Sequence, residues 1–489
     1  VSVPRPALYF VGAVSLIRLF AASRFPLTGD EAYYWTWSRH LAYGYVDHPP
    51  MVAWAIALLS PFGRAPGLVR FPFVVCEAVT ALALGAAAGR LARDSRAGAI
   101  AAVAFTLLPQ TKLALAEALP DGPYAMFWAL ALYFVIRLES ATASRRAPLW
   151  SIALGTALGG VLLSRAFGWL LVFGIAAYAL APKRRASFKQ LWIAFVVAAL
   201  LYAPFVVWNA RHHYANFAFT LHDRERLEAF ELERITILSS LRLLLDACSL
   251  WLLAIFVALR PKRPLLAWTA LPLPTLLVAI AFFYQVESYW ILGPIASLCV
   301  GLGIEFRNWG RNLRRTLIAA SAGGFAYVTV AALFAAAPER TEAQLLGATH
   351  GALRGPFYSG AFAYGPLATE IRTLAGARPL VILTDRHEIA SELSYAGLAP
   401  LLIGPSPQSR QWQLWQDTSP FVARALYVSY LPLRYDSEPW RTLASAYATV
   451  DEGPTLRPRY AGVVADTFYT AWCSGAEPGA VATLFEHAP

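Results

Sequence analysis

Long apolar runs separated by short polar breaks fill the first two thirds of the chain. Eleven can be marked: 6–23, 68–89, 97–108, 122–136, 149–163, 167–181, 190–208, 236–259, 264–284, 289–304 and 316–337. A helix of about 17–25 mostly apolar residues crosses the hydrocarbon core, so the pattern predicts about eleven transmembrane helices. The runs 149–163 and 167–181 are short, flank Ser164-Arg165-Ala166 and predict a tight helical hairpin. Gly155 and Gly159 stand four apart on the first of them, a spacing that lets another helix come close. Arg18 and Glu77 fall inside runs and are expected to pair or to snorkel. The first run is expected to stay as an anchor, because no A-x-A cleavage site follows it.

After residue 338 the pattern changes to Pro- and Gly-rich turns between shorter elements. Residues 379–384, 401–403 and 425–430 read as strands, and 388–395 as a helix. Strand, helix and strand in succession predict a small α/β domain. The expected fold is therefore a mainly α-helical polytopic membrane protein over residues 1–337, followed by a soluble α/β domain over residues 338–489.

Composition supports the membrane reading. Of the 489 residues, 57% are hydrophobic and 15% charged, and mean hydropathy is +0.48. A soluble domain carries about a quarter charged residues, which argues against a single soluble globule or a disordered chain. Four cysteines without a C-x-x-C spacing indicate neither a disulfide framework nor a cysteine zinc site.

The net charge of +11 reports topology. With eleven spans and the amino terminus inside, the inside segments hold 18 basic residues against three acids. The outside segments before residue 338 hold nine basic and eleven acidic residues. That asymmetry obeys the positive-inside rule, and it leaves no nucleic-acid footprint to explain. It also places the C-terminal domain on the outer side of the membrane.

Polar residues gather on the predicted outer ends. The first outer loop opens with Asp30-Glu31-Ala-Tyr33-Tyr34-Trp35 and closes with Tyr45-Val-Asp47-His48-Pro-Pro-Met51. Glu117 and Asp121 mark the second outer end, Arg165 the third, Arg211, His212 and His213 the fourth, and Tyr289-Trp290 the fifth. Acids and cations collected on one face of a membrane protein indicate a site there. Each residue also has a plainer reading. Asp30 and Glu31 can be solvated loop acids, Asp121 a helix cap, His48 a turn residue, and the tyrosines and tryptophans an interfacial aromatic belt. An Arg between two short apolar helices is harder to dismiss, since it needs a partner or an anion.

The two halves of the first outer loop, Asp30 to Trp35 and Tyr45 to Met51, resemble the dolichyl-phosphate-mannose–protein mannosyltransferase-like family. These are bacterial glycosyltransferases of the membrane GT-C class, akin to the lipid A aminoarabinose transferase. Pro120-Asp121 with Phe127-Trp128, Leu163-Ser-Arg165, the stretch from Pro204 to Asn209 with His212 and Phe217 to Phe219, and Tyr289-Trp290 are similar to further motifs of that family. Arg165 stands where Lys is more usual, and Tyr289 where His is common. Asp385 to Tyr395 and Ser409 to Trp415 resemble its C-terminal domain. The resemblance implies a polyprenyl-phosphate-linked sugar donor, inversion at the anomeric carbon and an outward-facing site.

Glycosyl transfer to a hydroxyl needs a base, and the motif match points to Asp30. Asp121 would orient the acceptor or bind a cation, and Glu31 is a further carboxylate. The leaving phosphate needs fixed cations. Arg165 is expected there because its planar guanidinium holds two oxygens, with Lys112 and Arg211 in reserve. Tyr33, Tyr34, Asp47, His48, Tyr289 and Trp290 would line the pocket. A divalent metal cation is a candidate cofactor, with Asp47, His48, His212 and His213 as its candidate ligands. The expected partners are the lipid-linked donor, membrane lipids, and lipid A, a surface glycan or protein as acceptor. No Walker or dinucleotide glycine motif occurs. The rival reading is a lipid or glycan transporter or flippase, which predicts helices broken near the midplane and inverted repeats.

Overall fold

The computed structural model describes residues 3–107, 116–141, 144–181, 184, 190–220, 264–280, 288–337, 340, 359–376, 380–404, 406–415, 424–460, 462–476 and 484–485. They form two compact units. One comprises residues 1–22, 42–55 and 67–332; the other comprises 23–41, 56–66 and 333–489.

Among the described residues, the α-helices longer than four residues up to residue 336 are, in chain order, α1 (Arg5–Arg24), α2 (Gly29–Arg39), α3 (Met51–Ala57), α4 (Pro66–Ala92), α5 (Ser95–Thr106), α6 (Asp121–Ser140), α7 (Ala147–Ser164), α8 (Gly168–Leu180), α9 (Leu191–Arg211), α10 (Pro264–Ala270), α11 (Pro272–Ile280), α12 (Leu292–Glu305) and α13 (Arg311–Ala336). Helix falls where the apolar runs predict it, except for the run 236–259, which lies outside the described residues. Among the described residues, α1, α4, α7 and α9 are long and apolar enough to cross a membrane. Two runs differ in detail. The run 264–284 is broken between Ala270 and Pro272, because proline removes a helix donor and clashes with the preceding turn. The run 289–304 begins as a 3-10 turn, Ser288–Ile291, before α12.

Small residues set the packing of the membrane unit. A Cβ built at Gly155 would lie 2.5 Å from the Ala194 carbonyl oxygen and 2.7 Å from the Val197 Cβ, and one at Gly159 2.9 Å from the Leu201 Cβ. So α7 and α9 meet backbone against side chain, and the spacing of the two glycines is used as expected. Gly155→Leu is expected to force the helices apart and lower stability by ~1–3 kcal/mol, read as a lower melting temperature in detergent.

Buried polar bonds tie the helices further. Arg18 pairs with Glu77 at 2.8 Å, and its other terminal nitrogen donates to the Thr106 carbonyl at 2.6 Å. This joins α1, α4 and α5 and resolves the sequence alternatives in favour of a structural ion pair. Trp128 donates to the Ser297 hydroxyl at 2.9 Å, and Thr269 bonds the same hydroxyl at 3.0 Å, joining α6, α10 and α12.

The second unit has a five-stranded sheet in the order β2-β1-β3-β7-β4. Its strands are β1 (Val381–Thr384), β2 (Pro400–Leu402), β3 (Arg424–Ser429), β4 (Tyr447–Glu452) and β7 (Tyr469–Ala476); β5 (Arg459–Tyr460) and β6 (Val463–Val464) pair separately. The β1 strand runs parallel to β2 and β3, and β7 runs antiparallel to β3 and β4. Helices α14 (Tyr364–Ala375), α15 (His387–Tyr395), α16 (Pro407–Gln413) and α17 (Glu438–Ala444) complete the unit. Side chains of β3 alternate between two cores, as strand geometry requires. Leu426 and Val428 join Ile371, Ile389 and Leu393, while Ala425 and Tyr427 join Leu443 and Cys473. The predicted strand–helix–strand order is present here, with α2 of the first loop as an unpredicted member.

Candidate active site

At one end of the membrane unit, residues distant in sequence are brought together. Asp121 is the first residue of α6, and Arg165 caps α7 in an extended conformation. The Arg165 Nε lies 3.2 Å from the Asp121 Oδ1, and both side chains are at least 92% buried. Asp121 is not the cap of α6; that position is Pro120, which makes no side-chain cap. Its carboxylate instead sits in the first turn, where the helix dipole favours negative charge.

Neighbouring contacts complete this end. A Cβ at Gly122 would lie 3.1 Å from Phe73 near the start of α4, and one at Gly293 would meet Trp128 and Tyr124 of α6 within 2.7 Å. Trp290 is buried and lies 5.7 Å from the Phe167 ring. Tyr289 is in the same short turn. Thus the end of α7 meets the start of α6, α6 packs against α4 and α12, and the residues just before α8 and α12 meet through Phe167 and Trp290.

The closing half of the first loop is held against the end of α9. Gly44 is so close to Trp208 that a Cβ there would lie 2.5 Å from the indole. Asn216, fully buried, donates to the carbonyls of Tyr45 and Val46 at 3.0 Å each, and the Asn209 carbonyl oxygen of the side chain accepts from the Asn216 amide at 3.2 Å. The chain reaches this point by a sharp reversal at His213 and Tyr214, both left-handed with φ of 52° and 56°. Such backbone is uncommon away from glycine. Burial pushes the Tyr45 phenol well above its ordinary value, with a smaller opposing effect from the Ala42 amide that donates to it. These bonds fix the backbone next to the half-buried Asp47 and His48.

Among the described residues no group of three His, Cys, Asp and Glu side chains comes together as a metal set. The candidate ligands Asp47, His48, His212 and His213 are therefore not brought into one. His212 is otherwise engaged: its Nδ1 bonds the Trp208 carbonyl at 2.7 Å and its ring stacks on Trp208 at 4.2 Å. His213 and Arg211 are exposed, and Lys112 lies outside the described residues.

The opening half of the first loop belongs to the other unit. Thr28 and Glu31 form a capping box: the Glu31 carboxylate accepts from the Thr28 amide at 2.9 Å and the Thr28 hydroxyl from the Glu31 amide at 3.4 Å. Glu31 is fully buried and holds the start of α2, whereas Asp30 beside it is exposed. Tyr33 and Tyr34 are buried around Trp37, at ring distances of 5.1 and 5.0 Å.

One buried charged residue escaped the sequence reading. Arg70, in the first turns of α4, is fully buried and donates to the Ala22 carbonyl at 2.7 Å. The signal for it was a charge bordering an apolar run at the same predicted end as Asp121 and Arg165. Glu117, expected at the second outer end, is buried beside the left-handed Ala116, just before α6.

The fold is similar to that of membrane glycosyltransferases of the GT-C type, and part of the sequence matches a family of such enzymes. A family model described as dolichyl-phosphate-mannose-protein mannosyltransferase matches residues 47–208, which include Asp121 and Arg165. Among solved structures the fold is similar to that of ArnT. The crystal structure of ArnT from Cupriavidus metallidurans bound to undecaprenyl phosphate superimposes with a TM-score of 0.61 at 16% identity, covering 98% of this chain and 99% of ArnT. Its apo form gives 0.61 at 15% identity over 98% of each chain. In sequence, the chain is 25% identical over 338 residues to the lipid A galacturonosyltransferase RgtD of Rhizobium johnstonii, covering 64% of this chain and 68% of RgtD.

Proposed function

We propose that the protein is an inverting glycosyltransferase that moves a sugar from a polyprenyl-phosphate carrier to a hydroxyl of an extracytoplasmic acceptor. The observation that carries this reading is the buried Asp121–Arg165 pair at the shared helix end. A buried guanidinium between apolar helices is costly, and an anionic lipid phosphate is the ligand its geometry suits. The name of RgtD makes lipid A the first acceptor to test, with surface glycan and protein as the others.

In this reading the acceptor hydroxyl attacks the anomeric carbon on the face opposite the phosphate. The new carbon–oxygen bond forms as the bond from that carbon to the phosphate oxygen breaks. The electron pair leaves with the polyprenyl phosphate, and the hydroxyl proton passes to Asp30. Arg165 meets the charge that builds on the phosphate oxygens. Asp121 holds Arg165 in place and orients the acceptor. Glu31 acts through the cap of α2, and Asp47, His48 and Trp290 shape the pocket. No step is assigned to a metal.

About eleven helices would cross the inner membrane, with the amino terminus inside and the C-terminal α/β domain on the periplasmic side. The test is transfer in proteoliposomes from undecaprenyl phosphate carrying labelled galacturonic acid, 4-amino-4-deoxyarabinose or mannose, with lipid A as acceptor. One of the three donors is expected to label lipid A. Movement of intact lipid across the bilayer without transfer would overturn the reading.

A further inference from the structure

Helix α2, which carries Asp30, is built into the C-terminal α/β unit. The anchoring begins in the sheet. The Asp385 carboxylate, just beyond β1, accepts from the Tyr427 hydroxyl at 2.8 Å and the Ser429 hydroxyl at 3.1 Å, both on β3. The Thr384 hydroxyl accepts from the Arg386 amide at 3.1 Å. These bonds fix the residues that start α15, and α2 lies against that start. A Cβ at Gly29 would lie 2.9 Å from the Cβ and 3.1 Å from the Cγ of Glu388. The Tyr33 ring meets His387 edge-on at 4.9 Å.

Further along the same helices, Trp35 meets Tyr395 edge-on at 5.0 Å. The Tyr395 hydroxyl donates to the Arg64 carbonyl, and the Arg64 guanidinium lies 6.0 Å from its ring. At the far end of α2, His40 stacks on Trp415 at 4.8 Å and 16°. The C-terminal domain thus grips α2 at its first residue, its middle and its C-terminal cap, and takes hold of the returning segment of the same loop at Arg64.

We infer that this domain is the positioning device for the Asp30 carboxylate, acting through Glu388 at Gly29, His387 at Tyr33, Tyr395 at Trp35 and Trp415 at His40. The inference rests on the reading of Asp30 as the base. A base must be held to within about an ångström, since a displacement of ~1 Å costs on the order of 100-fold in rate. Gly29 adjoins Asp30, so the absence of a side chain there sets how closely the Asp30 backbone approaches α15. The resemblance of Asp385 to Tyr395 and Ser409 to Trp415 to the family's C-terminal domain thereby acquires a mechanical meaning: both segments face the loop that holds the base.

The test uses full-length enzyme in proteoliposomes, with undecaprenyl-phosphate-linked galacturonic acid as donor, or whichever donor of the three above is transferred, and lipid A as acceptor. Tyr395→Ala is expected to lower kcat about 10-fold to 100-fold with the donor KM within about twofold, while Tyr395→Phe, which keeps the ring against Trp35, retains most of kcat. Gly29→Ala is expected to lower kcat as well. Glu388→Gly in the same chain removes both atoms that the new methyl would meet, leaving the Glu388 Cα at 3.6 Å, and is expected to recover it. Wild-type kcat in both Tyr395→Ala and Gly29→Ala, with Asp30→Asn inactive, would overturn the positioning role alone. A raised donor KM and a lowered melting temperature accompanying the loss of kcat, without recovery in the paired variant, would also overturn it in favour of general stability. Full activity of Asp30→Asn would remove the base assignment and the inference with it.

Discussion

Asp30→Asn is expected to lower kcat by about 10²- to 10⁴-fold, the usual contribution of a positioned general base, with little change in melting temperature. The structure sharpens the second half of that expectation. Asp30 is exposed on the surface of α2, and the cap that holds the helix belongs to Thr28 and Glu31. Removing the Asp30 charge therefore leaves the capping box that starts α2 in place. Glu31→Gln should show the reverse pattern, because it weakens the acceptor in the capping box and touches activity only through the helix. Single-turnover transfer together with thermal unfolding in detergent separates the two, and unaltered kcat in Asp30→Asn would exclude it as the base.

Arg165→Ala carries the other large effect, and it acts twice. First, it strands the buried Asp121 carboxylate; breaking such a pair from one side destabilises by about 3–5 kcal/mol. Second, it removes the cation proposed for the phosphate, so affinity for undecaprenyl phosphate is expected to fall by ~1.5–3 kcal/mol, the worth of a charged hydrogen bond. The double variant Arg165→Ala with Asp121→Ala separates these effects. It should regain most of the lost melting temperature and none of the lost affinity, measured by tryptophan fluorescence as the carrier lipid is titrated. Arg165→Lys keeps the charge without the planar fork and is expected to fall between wild type and Arg165→Ala. Carrier affinity unchanged in Arg165→Ala would refute the phosphate role.

Much of this arrangement could be read from residue order because it is local. Apolar runs mark most of the described helices, and the spacing of Gly155 and Gly159 announced the close approach of α7 to another helix. Arg18 and Glu77 announced a need for partners without saying that they satisfy one another. What escaped was either overlooked or distant. Thr28-x-x-Glu31 is a capping-box signature in plain view, obscured because Glu31 also belongs to a family motif. Asn216 reaches back about 170 residues to the carbonyls of Tyr45 and Val46, and Trp128 reaches Ser297 across 169. No periodicity encodes such pairings; they follow from how helices stack once formed. The same holds for α2, which reads as an outer-loop segment and is in fact cemented by aromatic rings to a domain some 350 residues later.

That last feature bears on how this chain can be recombined with others. A chimera joined only near residue 333 would import an α/β domain without residues 23–41 and 56–66, which complete its fold. It would also separate the α/β domain from Tyr33 and Trp35, which pack on His387 and Tyr395. A graft of this domain should therefore fold only when three segments travel together, two of them excised from near the amino terminus.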